Sequence, residues 1–257
     1  METTVNQDTH LYPKVQIFSD LEALSAAAAE FIATISRKVT ESTGNFSMAL
    51  SGGVTPRPLY ALFGSTLYRE RIDWKRVRIF WTDERCVPPD HPESNYKLAF
   101  DSFLSRVSIP PNNIHRIKGE ASADQAARAY ERDIRLFLGG PAFPIFDLII
   151  LGVGEDGHTA SLFPASGAAK ERVRVVAPVY LEPPKLNRVT LTLPTLNNAV
   201  QILFLVSGKS KQNVIKEIVE QGNPHHYPAG LVQPRQGYSM WFLDNDAANL
   251  LTQNNYR

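Results

Sequence analysis

The chain has 257 residues, 43% of them apolar, with 27 basic against 26 acidic side chains. That length and apolar content suit a single α/β domain with a sizeable core. The near-neutral balance offers no broad basic surface for nucleic acid, and no run approaches the roughly 18 apolar residues that span a bilayer.

The opening, Met1 to Tyr12, is polar and carries Glu2 and Asp8. It lacks the basic start and apolar middle of a secretory signal, and it is not Arg-rich and acid-poor like a transit peptide. Residues 1–14 therefore read as a flexible tail ahead of one domain, 15–257. Val15–Ser19 is a short strand. Asp20 caps a helix whose Leu21, Leu24, Ala28, Phe31, Ile32, Ile35 and Val39 recur at helical spacing. Asn45–Leu50 is a buried strand ending in Ser51-Gly52-Gly53, and Thr55-Pro56 opens the next helix. Val77–Trp81 is a strand ending at Thr82-Asp83-Glu84-Arg85. A helix from about Glu93 places Tyr96, Phe100, Phe103, Leu104 and Val107 on one face. Asn113–Ile117 is a short strand, and Ser122–Leu138 a helix with Tyr130, Ile134, Phe137 and Leu138 inward. Phe146–Leu151 is the most apolar strand and runs into Gly152-Val153-Gly154. Val173–Val179, Arg188–Leu193, Gln201–Val206 and Tyr238–Leu243 are further strands, with helices at Lys209–Glu220 and Asp244–Leu251. The stretch 222–236, with His225, His226 and three prolines, is a long loop. This βα alternation predicts a largely parallel sheet covered by helices on both faces.

Cys86 is the single cysteine, which excludes an internal disulfide and points to the reducing cytosol. Beside Arg85 it is open to two readings, an activated nucleophile or an inert half-buried thiol.

Ligands of an open parallel sheet bind beyond the carboxyl ends of its strands. Four such ends stand out. The turn Ser51-Gly52-Gly53-Val54-Thr55-Pro56 offers backbone N–H groups to an anion at a helix start; it also serves as a plain βα connection with Thr55 as N-cap. It lacks the Gly-Lys-Ser/Thr ending of a Walker loop. Asp83, Glu84 and Arg85 follow a buried strand directly. Either they pair among themselves, or Asp83 accepts a sugar hydroxyl and Arg85 meets a carboxylate or phosphate. Gly152 to Gly157 forms a nominal G-x-G-x-x-G, but Glu155 and Asp156 stand where a pyrophosphate needs donors, and Pro164 and Gly167 cut the following helix short. The better reading is a turn that presents His158, a proton carrier near neutral pH, with Asp156 to orient it; the plainer one is a histidine bonded within a tight turn. Last, Arg188 at a strand start and Lys209 at a helix start are paired cations suited to a phosphate. No histidine spacing suits zinc, so a zinc site is not expected.

Several motifs continue in order from about Val15 to Leu243: Ser-Gly-Gly-x-Thr-Pro at 51–56, Thr-Asp-Glu-Arg-Cys-Val-Pro at 82–88 with Ser94-Asn95-Tyr96, and Gly-x-Gly-Glu-Asp-Gly-His-Thr-Ala-Ser-Leu-Phe-Pro at 152–164. Arg-Val-Thr-Leu-Thr at 188–192 and Gly-Lys-Ser-Lys at 208–211 complete the set. On these the chain resembles the glucosamine-6-phosphate isomerase/6-phosphogluconolactonase family, and the 156–164 block its lactonase members. The resemblance implies a Rossmann-like, doubly wound fold of the glucosamine-6-phosphate deaminase type. It further implies cofactor-free hydrolysis of 6-phosphoglucono-δ-lactone in the oxidative pentose phosphate pathway. Ser51, Gly52, Gly53, Thr55, Arg188 and Lys209 would surround the phosphate, His158 would be the base, and Asp83, Arg85 and Asp156 would lie near the lactone. Val54 departs from the family's usual serine or alanine, which leaves the backbone donors in place.

The expected substrate is thus a small phosphosugar, with no nucleic acid or membrane partner and either a monomer or a small homo-oligomer. Two alternatives remain: an isomerase-deaminase on the same fold, which needs a carboxylate base for proton transfer at C2, and a sugar-phosphate-binding domain without chemistry.

Overall fold

The computed structural model describes residues 14–140, 142–164, 166–220 and 226–252. In chain order the elements are β1 (Lys14–Phe18), α1 (Leu21–Thr43), β2 (Phe46–Leu50), α2 (Arg57–Phe63), α3 (Thr66–Arg69), β3 (Val77–Trp81), β4 (Asp83–Arg85), α4 (Asn95–Ser102) and α5 (Ala123–Leu138). They continue with β5 (Leu148–Leu151), β6 (Val176–Val179), β7 (Arg188–Leu191), α6 (Leu193–Leu196), β8 (Gln201–Val206), α7 (Gln212–Val219) and β9 (Tyr238–Asp244). Local chemistry sets several of these bounds. The Asp20 carboxylate accepts the Ala23 N–H to start α1, and Gly44 in the left-handed region ends it.

Six strands form one sheet in the order β1-β9-β8-β5-β2-β3, and every pairing in it is parallel. All residues of β2 and β5 are buried, as a sheet covered on both faces requires. From β2 the chain steps outward to β3, then returns to the other side of β2 for β5 and proceeds to β8 and β9. The order therefore reverses between β2 and β5, and such a reversal opens a crevice at the carboxyl ends of the two strands. Right-handed crossovers leading in opposite directions put helices on opposite faces. The doubly wound, largely parallel α/β reading thus holds.

A second sheet, β4-β7-β6, is antiparallel. Thr82 joins the two: its N–H donates to Leu50 O (2.9 Å) and its carbonyl accepts from Leu191 N (2.7 Å). The expected charged cluster Asp83–Arg85 is therefore itself a strand. Other expectations shift for visible reasons. Asn113–Ile117 makes only the bridge Ile79↔Ile114, because Pro110 and Pro111 precede it. The strand expected from Val173 starts at Val176, since the Glu171 carboxylate gathers the N–H groups of residues 172, 173 and 174 into a turn. Its neighbour from Arg188 ends at Leu191, where Leu193-Pro194 opens α6. Residues 245–250 form turns where a helix was expected over 244–251, and Lys209–Lys211 is a 3₁₀ turn ahead of α7. The helix expected from Glu93 is capped by Ser94 and stops at Ser102. Phe137 is partly exposed rather than inward. Lys14 already belongs to β1; the rest of the expected tail, 1–13, and residues 222–225 of the expected loop lie outside the described residues.

Candidate active site

The turn after β2 is open. Ser51 is buried, and its hydroxyl bonds Ile150 O and Thr82 Oγ1, both at 2.8 Å, tying together the ends of β2, β5 and β3. It is thus a brace, and its side chain is not presented to a phosphate. What the turn does present is backbone: the N–H groups of residues 52–55 donate to no group among the described residues. Gly53 (φ +96°) has open space on its side-chain face, and Val54 is 73% exposed. Gly52 is glycine because a Cβ there would fall 1.8 Å from Asn95 Oδ1. Helix α2 starts only at Arg57 and is seven residues long. Thr55 does not cap it, and the free amides rather than a long helix dipole are the anion donors.

The turn after β5 is closed on itself. Gly154 N donates to His158 O (2.8 Å) and Gly157 N to Gly154 O (3.0 Å). His158 Nδ1 lies 2.5 Å from Asp156 Oδ1, which also accepts the His158 N–H at 3.1 Å. A Cβ at Gly154 would meet that ring nitrogen at 2.0 Å, so glycine lets the imidazole fold back over the turn. Burial pushes the Asp156 carboxyl up, but the bonds from the His158 backbone and ring outweigh it and hold the group below the usual carboxylate range. A carboxylate on Nδ1 fixes the tautomer with Nε2 free to accept a proton. The histidine side chain is 33% exposed, and its ring centroid lies 4.7 Å from that of Phe163. Two residues on, Ala160 holds φ +47°, a strained value for a residue with a Cβ.

The small sheet brings the charges together. In its ladder Asp83 pairs with Thr190 and Arg85 with Arg188. Directly opposed residues share a face, as do residues two apart on one strand, so Asp83, Arg85, Arg188 and Thr190 lie on one surface. Onto it the histidine turn is tied twice: Ser161 Oγ donates to Asp83 Oδ2 (2.6 Å), and Ser161 N donates to Thr190 Oγ1 (3.1 Å). Asp83 is buried; Asn95 Nδ2 donates to its Oδ1 at 3.2 Å, and Arg188 Nη1 lies 3.9 Å from its Oδ2. Both of its oxygens are thus engaged with neighbouring side chains, so in this arrangement Asp83 positions Ser161, Asn95 and Arg188. Glu84 is also structural, its carboxylate accepting Asn95 N and Tyr96 N at the start of α4.

Arg85 and Arg188, by contrast, hold donors in reserve. Arg85 Nη1 donates to Glu93 O (2.6 Å), and the Nε of each guanidinium is buried without a partner among the described residues. Burial lowers the Arg188 pKa, Asp83 opposes this, and Arg85 adds to it. Like charges directly opposed on a ladder repel, and an anion between them relieves both that repulsion and the unused donors. Lys209, after β8 on the same edge, is exposed and has no polar partner among the described residues. Burial raises the Cys86 thiol and Glu84 raises it further, with Arg188 opposing, which favours the inert half-buried thiol over the activated nucleophile. Among the described residues no three His, Cys, Asp or Glu side chains gather as a metal site, and no helix is long and apolar enough to cross a membrane.

Sequence reasoning missed Asn95, Thr190 and Ser161 as the knot beneath the site. Their signal was faint: three small polar residues next to charged motifs, whose joining depends on the second sheet.

A doubly wound sheet with a charged histidine-bearing crevice at its switch point defines the molecule's class, an α/β enzyme. Its family model match spans residues 19–241 and is described as glucosamine-6-phosphate isomerases/6-phosphogluconolactonase; the chain belongs to that family. A 6-phosphogluconolactonase of Synechocystis is 39% identical over 93% of this chain and 98% of its own length. The solved structure of 6-phosphogluconolactonase from Trypanosoma cruzi superposes with a TM-score of 0.85 at 32% identity, covering 96% of this chain and all of that one. A monomeric glucosamine-6-phosphate deaminase shares the fold at 23% identity, with a TM-score of 0.78 over 92% of this chain and 99% of its own.

Proposed function

We propose that this chain hydrolyses 6-phosphoglucono-1,5-lactone to 6-phosphogluconate, the lactone-opening step of the oxidative pentose phosphate pathway. The relatives named above support the substrate. The observation that carries the chemistry is the half-open His158–Asp156 pair, tied through Ser161 and Asp83 to the face bearing Arg85 and Arg188. His158 Nε2 takes a proton from a water, which attacks C1 of the lactone. Arg85 lies at the lactone end and stabilises the oxyanion as the carbonyl becomes tetrahedral. The imidazolium then returns the proton to the ring oxygen as the C1–O bond breaks. Arg188, Lys209 and the free amides of residues 52–55 hold the phosphate, which fixes C1 in register with the base. No covalent nucleophile is needed, and Ser161 is committed to Asp83. The cytosol suits this reading, because the lone thiol Cys86 requires no oxidising compartment.

The test is to generate the lactone with glucose-6-phosphate dehydrogenase and follow its loss beyond spontaneous decay. His158→Ala is expected to lower kcat about 10²–10⁴-fold with little change in KM. Near-full kcat in that variant would refute the base assignment. Ammonia release from glucosamine 6-phosphate, with no lactone consumed, would favour the isomerase-deaminase reading.

A further inference from the structure

Gly157 separates Asp156 from His158, so the orientation of its two peptide units decides whether carboxylate and imidazole meet. Its φ of +76° is one that glycine adopts freely. Glycine permits that conformation but does not enforce it, and the bonds within the turn leave its outer side to be held by something else. A distant segment does so. A Cβ built on Gly157 would fall 2.3 Å from Tyr227 Cδ1 and 2.7 Å from its Cβ and Cγ, so the tyrosine lies directly against the glycine backbone. Two residues on, Ala229 N donates to Gly157 O at 3.0 Å.

The segment making these contacts is itself anchored. Pro228, Ala229 and Gly230 are buried. Gly230 N and Leu231 N donate to Tyr227 O at 2.9 and 3.3 Å. Asn197 Nδ2 donates to Leu231 O (3.1 Å), and its Oδ1 accepts from Gln233 N (2.8 Å). Against the turn there is thus an anchored segment with one ring contact and one hydrogen bond, both directed at the residue between base and carboxylate.

We infer that Tyr227 is a positioning residue for the lactonase reaction: with the Ala229 N–H it clamps Gly157 so that Asp156 and the His158 imidazole stay hydrogen-bonded. This rests on the reading of His158 as the base. The contact is made by ring and β carbons, so the tyrosine hydroxyl is dispensable.

Tyr227→Phe, Tyr227→Leu and Tyr227→Ala in the full chain test this, each checked for folding by circular dichroism and thermal melting. Tyr227→Phe is expected within about twofold of the parent in kcat. Tyr227→Ala and Tyr227→Leu are expected to lose about tenfold in kcat with KM within about twofold, since small misplacements of a catalytic group act on turnover. A merely structural tyrosine would lower the melting temperature while kcat and KM, measured well below it, stay those of the parent, and this result overturns the inference. If Tyr227→Ala does not fold, the bulkier Tyr227→Leu decides. His158→Ala run alongside separates the failures. If it stays active, the base reading falls; if it is inactive while the Tyr227 variants behave as the parent, only the clamp falls.

Discussion

Two histidine–aspartate pairs occur among the described residues, and they do opposite things. His158 Nδ1 meets Asp156 at 2.5 Å on a surface turn, with side chains 33% and 53% exposed. His115 Nδ1 meets Asp133 at 3.0 Å, but its side chain is only 4% exposed and that of Asp133 34%. The His115 ring stacks on Phe80 (4.5 Å, 12°) and touches Phe137 (4.1 Å), while its Nε2 is buried without a partner among the described residues. The carboxylate is common to both pairs, so it does not distinguish a base from a core residue. What distinguishes them is the surroundings of the ring, a third exposed in one and, in the other, enclosed by aromatic rings with its second nitrogen buried.

The most forceful way to break the comparison is to remove both imidazoles in turn. His158→Ala should cost about 10²–10⁴ in kcat while the fold persists, and a neutral-pH assay of a His115 variant should leave kcat unchanged. Equal losses from the two would show that exposure is the wrong criterion. Glycine substitutions sharpen the point. Gly157→Ala forces a Cβ into a left-handed position, at about 1–2 kcal/mol, and against Tyr227. Gly53→Ala meets the same backbone strain at φ +96° but open space. Gly157→Ala should therefore lower both melting temperature and kcat, Gly53→Ala chiefly the former. Next in size, Arg188→Ala and Lys209→Ala should raise KM about tenfold with smaller effects on kcat, if they grip a part of the substrate that does not react. A fall in kcat at unchanged KM would move either residue to the reacting end.

The main sheet was legible because its strands are short apolar runs between turn signals, a local property. The pairing of Arg85 with Arg188 was not, because it arises only when a three-residue strand of charged side chains crosses from one sheet to another at Thr82. No propensity scale marks Asp83-Glu84-Arg85 as a strand. For the same reason Asp83 looked like a ligand contact: an acid after a buried strand is conspicuous, but its partners Ser161 and Asn95 come from elsewhere in the chain. His158 was legible from its glycines and its neighbouring carboxylate. Its holder, Tyr227, was not, since an aromatic residue in a proline-rich loop carries no sign of what it presses upon. His115 fell inside an expected strand, and its pairing with Asp133 needed α5 to be docked.

The smallest expected effect concerns His115, where the comparison makes a signed claim about pH. Burial lowers the pKa of this group below its ordinary value, with Arg78 adding to the shift and Asp133 opposing it. The unfolded chain then takes up a proton near pH 6.5 that the folded chain refuses, so stability is full above about that pH and declines as pH falls toward the folded value. The slope cannot exceed one proton, about 1.4 kcal/mol per pH unit. His115→Phe keeps a ring against Phe80 and deletes both the titration and the unpartnered Nε2, leaving Asp133 partly hydrated. Urea midpoints of parent and variant between pH 7.5 and 5 should diverge, the parent falling more steeply. Parallel curves would show that His115 does not refuse the proton, and its burial among the rings would then not be what separates it from His158.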